Sequence, residues 1–100
     1  MVEYEIYFTK QATKDKKLIK QAGLENKARA LLEIIKANPF QNAPPYEKLV
    51  GNFDGFFSRR ISFQHRLVYQ VIEDEKAIKI LRMWSHYEHQ ITLQRDFKNT

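Results

Sequence analysis

One hundred residues with 43% hydrophobic and 29% charged content describe a single globular domain; two domains would leave each without a core. The lack of cysteine excludes disulfide and thiolate chemistry, and no apolar run approaches the roughly 20 residues that cross a bilayer. The net charge of +5 is uneven: residues 10–36 hold eight Lys or Arg against the acids Asp15, Glu25 and Glu33, and the rest of the chain balances nine against nine. This asymmetry fits either solvated helical faces or a footprint for a polyanion, RNA or an acidic protein.

The opening Met-Val-Glu-Tyr-Glu-Ile lacks the pattern of a signal peptide, so a cytoplasmic location away from membranes is expected. Val2 to Phe8 alternates apolar and polar, which predicts a half-buried strand. Thr9 stands where a helix N-cap belongs, and Lys10 to Ala22 carries Ala12, Ile19 and Ala22 at helical spacing. Gly23 is suited to the left-handed conformation that ends a helix. A second helix from about Leu24 presents Leu24, Ala28, Leu31 and Ile35 on one face, and Pro39 stops it. The short junction predicts an antiparallel helical hairpin.

Phe40 to Tyr46 reads as a loop, broken by Asn42 and Pro44-Pro45, and Tyr46 to Val50 as a short strand. After turn residues 51–55, three strands follow over Phe56–Phe63, Arg66–Ile72 and Ala77–Trp84. Their connections, Gln64-His65 and Glu73-Asp74-Glu75-Lys76, are short enough for an antiparallel meander. The order β-α-α-β-β-β-β predicts a two-layer α+β domain, a helix pair on one face of an antiparallel sheet and the other face open to solvent. The domain is expected over residues 1–87, with 88–100 a tail that is disordered or forms a short helix.

Such a sheet can gather Arg59, Arg60, Arg66, Arg82, His86 and Tyr87. Cleaving an RNA phosphodiester needs a base for the 2′-OH, fixed cations for the phosphorane and an acid for the departing 5′-oxygen. Arg60 and Arg66 offer forked donors to phosphate oxygens, His86 titrates near neutrality, and Glu47 is the candidate base. Tyr87, Phe57 or Trp84 could stack on an unpaired base. Each has a plainer reading: strand arginines as cross-strand ion-pair partners, Glu47 as a solvated charge, the aromatics as core. No metal-ligand spacing and no glycine-rich phosphate loop is visible, and no cofactor is expected.

Gly55-Phe-Phe-Ser-Arg-Arg-Ile61, then His65-Arg-Leu-Val-Tyr69, then an aromatic-rich strand ending His86-Tyr87, resembles the Txe/YoeB family of toxin–antitoxin mRNA endoribonucleases, within the RelE-like superfamily. Pro39-Phe40 and Glu47-Lys48-Leu49 extend the likeness, which covers residues 2–87. The resemblance implies a microbial-ribonuclease-like fold and metal-independent cleavage of mRNA in the ribosomal A site, with translation inhibited. It also implies a YefM-like antitoxin that blocks the toxin and joins it in repressing their operon, so operator DNA is met only through that complex. By position, Glu47 resembles the general base, His86 the general acid, Arg66 the cation on the scissile phosphate and Tyr87 a substrate-holding tyrosine. Arg59, Arg60 and Lys48 are expected to bind substrate. Family members carry Lys directly after the leucine of Glu-x-Leu, where this chain has Val50; moving the charge to Lys48 points it to the opposite strand face. Homodimerisation stays open. The alternative function is a non-catalytic RelE-like module acting through an antitoxin and operator complex; a third is a general RNA-binding domain using the lysine-rich helices.

Overall fold

The computed structural model describes residues 3–49 and 55–83. Strand β1 (Glu5–Phe8) leads into helix α1 (Lys10–Gln21) and helix α2 (Glu25–Ala37). Strands β2 (Tyr46–Lys48), β3 (Phe56–Arg60), β4 (Arg66–Ile72) and β5 (Ala77–Arg82) follow, with a 3-10 turn at Glu73–Glu75.

Local chemistry accounts for the boundaries. The Thr9 hydroxyl accepts the Ala12 N–H at 3.0 Å, capping α1. Gly23, at φ 75°, turns the chain so that its N–H and that of Leu24 donate to the Lys20 and Ile19 carbonyls. Strand β3 ends at Arg60 rather than at Phe63, because the Ile61 and Ser62 N–H groups both turn onto the His65 carbonyl. The expected ends of two strands, Val50 and Trp84, and the tail 88–100, lie outside the described residues.

The sheet order is β1-β5-β4-β3-β2. Strands β2 to β5 form the expected antiparallel meander, whereas β1 pairs parallel to β5, Ile6 opposite Ile78 and Phe8 opposite Ile80, so the sheet is mixed. The helical hairpin carries the chain from β1 at one edge of the sheet to β2 at the other, and the meander then returns it to β5 beside β1. The core lies between helices and sheet: Ala12, Ile19, Ala28, Leu31 and Ile35 meet Phe57, Leu67, Tyr69, Ile78 and Ile80. Burying each large aliphatic side chain there contributes about 1.5–3 kcal/mol. No helix among the described residues is long and apolar enough to cross a membrane.

Strand parity then sorts the polar side chains. Residues 57, 59, 67, 69, 78 and 80 share the helix-facing side with Tyr46 and Lys48, leaving Glu47, Ser58, Arg60 and Arg66 on the other.

Candidate active site

Glu47, Ser58, Arg60 and Arg66 line one hollow of ≈ 370 Å³ with Pro44, Pro45 and Tyr46. Three adjacent strands build it. Glu47 opposes Ser58 across β2–β3, and Arg60 opposes Arg66 across β3–β4. Arg66 Nη1 donates to Glu47 Oε1 at 3.0 Å. The Arg66 side chain is 11% exposed and that of Glu47 66% exposed. A sheltered cation thus holds a carboxylate that stays open to solvent. Arg60, exposed, places a second guanidinium at the same mouth. Two forked cations beside one accessible carboxylate can bind a phosphate's oxygens and take a proton from a neighbouring hydroxyl.

The sheet does not gather every expected cation. Arg59 was expected to bind substrate, but its parity with Phe57 turns it into the core, where it is 1% exposed. Its guanidinium donates to the Tyr69 hydroxyl (2.9 Å) and to the carbonyls of Pro44 (2.6 Å), Pro39 (3.0 Å) and Gln41 (2.6 Å). Arg59 therefore ties down the 39–45 loop that delivers Glu47. Beside it, burial pushes the Tyr69 phenol above its ordinary pKa, and the Arg59 hydrogen bond offsets part of that rise. Lys48 is exposed but sits on the face opposite Glu47, as its one-residue offset requires. Phe57 is no stacking platform: it is buried in a ring cluster with Phe40, Tyr46 and Tyr69.

Arg82 also leaves the cationic group: a bulge resets the register, so that Arg82 stands opposite Val68 while Ile80 stands opposite Tyr69. Its Nε donates to Asp15 Oδ2 at 2.8 Å, and the Met83 N–H donates to the same oxygen at 3.0 Å. Gln11 reaches the other oxygen at 3.2 Å. Asp15, fully buried, is a residue that sequence reasoning missed, having been counted among surface charges. The signal was present: Asp15 lies three residues from Ala12 and four from Ile19, on the buried stripe of α1. Since Asp15 is spent internally, the solvent face of α1 carries Lys10, Lys14, Lys16, Lys17 and Lys20 with no acid of its own. His86 and Tyr87 lie outside the described residues.

A two-helix layer on a five-stranded mixed sheet, with a carboxylate and two arginines in a hollow on its far face, defines a RelE-like toxin fold. Solved structures agree. A YoeB/ParE toxin from Agrobacterium tumefaciens superposes with a TM-score of 0.75 at 27% identity, covering 83% of this chain and 99% of that one. The YoeB–YefM complex from Staphylococcus aureus gives 0.71 at 36% identity, covering 86% and 100%. Among curated sequences, Toxin YoeB of Escherichia coli (strain K12) is 37% identical over 73 residues, 73% of this chain and 77% of that protein. Toxin YoeB of Synechocystis sp. is 36% identical over 74 residues, 74% and 77% of the respective chains. The profile of the YoeB-like toxins of bacterial type II toxin–antitoxin systems matches residues 4–87. The chain belongs to that family.

Proposed function

We propose that the protein is a ribosome-dependent mRNA endoribonuclease that inhibits translation. The observation that carries this reading is the 3.0 Å pairing of Glu47 with Arg66 in a hollow shared with Arg60. In the proposed reaction the scissile phosphate takes over the guanidiniums of Arg66 and Arg60, freeing the Glu47 carboxylate. Glu47 removes the 2′-OH proton, and the 2′-oxygen attacks phosphorus. The arginines stabilise the charge that builds on the non-bridging oxygens. His86 protonates the departing 5′-oxygen, leaving a 2′,3′-cyclic phosphate and a 5′-hydroxyl, and Tyr87 helps hold the substrate. Each step uses this chain's own side chains.

Ribosome dependence fits the division of charge: a small hollow for one phosphate, and a lysine-covered α1 for a larger polyanion. The family places an antitoxin beside the toxin, and the Staphylococcus aureus relatives are described as a YoeB–YefM complex, a heterotetramer and a YoeB dimer. A YefM-like antitoxin is accordingly the proposed protein partner, with operator DNA bound only through that complex and the cytoplasm as the site of action. The test is cleavage of ribosome-bound mRNA by purified protein. Arg66→Ala and His86→Ala are expected to abolish cutting while the fold is retained. Undiminished cleavage by either would overturn the assigned roles, and no cleavage by the wild type would leave the non-catalytic module as the better reading.

A further inference from the structure

Phe63 sits in the turn joining β3 to β4 and is 87% exposed. Among the described residues, the other two exposed large aromatics are engaged: Phe40 packs on Phe57 and Tyr46, and the Tyr7 hydroxyl donates to Glu5. The turn that presents Phe63 is fastened on both sides. The Ser62 hydroxyl meets His65 Nδ1 at 2.8 Å and accepts the N–H groups of Gln64 (3.3 Å) and His65 (3.2 Å). Ile61 and His65, flanking it, are buried. The ring is therefore held out by a hydrogen-bonded turn rather than left on a loose one.

Its position joins it to the hollow. Arg60 Nη1 donates to the Phe63 carbonyl at 3.3 Å, and the same Arg60 lines the hollow opposite Arg66. An exposed apolar ring on the turn whose carbonyl Arg60 holds, next to a hollow with two guanidiniums, suits one ligand, a nucleotide, which offers an anion and a flat apolar base side by side. A base stacked on Phe63 removes apolar surface from water on both partners; every base can stack, and a purine, with more surface, stacks more strongly. A helix or strand of a protein partner would need a contiguous apolar patch, and Phe63 is flanked by exposed Gln64 and half-buried Ser62.

We propose that Phe63 is a stacking platform for an unpaired RNA base next to the phosphate held by Arg60 and Arg66, and so helps set which base flanks the cut. This rests on the nuclease reading above. Binding is measured to a fluorescently labelled single-stranded RNA oligonucleotide with 2′-O-methyl riboses, which cannot be cleaved. Phe63→Ala is expected to weaken binding about tenfold and Phe63→Trp to preserve it, the added indole being quenched on binding. A series of oligonucleotides with one abasic position each should contain one position at which Phe63→Ala costs nothing further. On ribosome-bound mRNA, Phe63→Ala should redistribute cut sites by base identity and spare the thermal midpoint.

Binding within twofold of wild type for Phe63→Ala, or an equal loss at every abasic position, overturns the proposal. So does a loss confined to antitoxin affinity or to self-association, which would make Phe63 a protein contact. If the base-specific loss appears but no mRNA is cut, the stacking site stands and the nuclease reading fails. If cutting occurs and Phe63→Ala changes neither binding nor site choice, the reverse holds.

Discussion

Two carboxylate–guanidinium pairs of similar length do different work in this molecule. Asp15–Arg82 closes at 2.8 Å with its carboxylate fully buried and its oxygens also taken by Gln11 and the Met83 N–H. Glu47–Arg66 closes at 3.0 Å with its carboxylate mostly in solvent. The first pair spends its donors and acceptors inside the fold, joining α1 to the end of β5. The second holds a carboxylate and a cation at the mouth of a hollow, where, in the proposed reaction, a phosphate competes for the cation. Environment, rather than residue type, separates the clamp from the proposed reactive site.

The sharpest way to break this contrast is Asp15→Ala. It removes the buried carboxylate that the Arg82 guanidinium and the Met83 N–H share, and should destabilise the fold by about 3 kcal/mol. For a chain of this size that lowers the melting midpoint by roughly 12–24 °C. A loss within a few degrees would mean that the pair is no clamp. Next in size is Arg59→Lys. One ammonium cannot replace a fork that serves three carbonyls and a phenol, so about 2 kcal/mol should be lost. Cleavage should fall with it, because the loosened 39–45 loop carries Glu47. Arg60→Ala should do the opposite: about a tenfold loss of cleavage with the melting midpoint nearly unchanged, since the side chain is exposed.

The smallest effect concerns pH. A hydrogen bond from Lys76, and then one from Tyr4, hold the Glu73 carboxyl below the ordinary range, while Glu73 holds the Lys76 ammonium above its own. The lowered carboxyl contributes stability above its unfolded pKa of 4.5, lost as pH falls through the folded value. The raised ammonium contributes below 10.5, lost as pH rises through its folded value. Glu73→Gln should flatten both limbs slightly in urea-midpoint measurements at pH 3, 7 and 11. Unchanged limbs would show that the cluster is solvated in both states.

Much of this was legible in the sequence. Thr9, Gly23 and Pro39 bracket the helices, and period-two patterning marks the strands, because caps and pleats are local physics. Glu47, Arg60 and Arg66 were also legible as one group, since short hairpins fix which residues stand opposite. Arg59 and Arg82 were misplaced because a strand arginine buries only when acceptors wait for it. Those acceptors, three loop carbonyls and an aspartate 67 residues away, are assembled by tertiary structure. Parity with Phe57 would have flagged Arg59, whereas Arg82 follows a β-bulge that counting by twos does not foresee. The parallel pairing of β1 with β5 left no local mark, because its partners lie about 70 residues apart.

The central claim is that Glu47 is a base held ready by Arg66 and not a structural ion pair. Single-turnover cleavage of ribosome-bound mRNA by Glu47→Gln, with the melting midpoint taken on the same preparation, tests it most directly. The expected result is a fall in rate of about a hundredfold or more with the midpoint within a few degrees of wild type. A folded Glu47→Gln protein that cuts at the wild-type rate would contradict it.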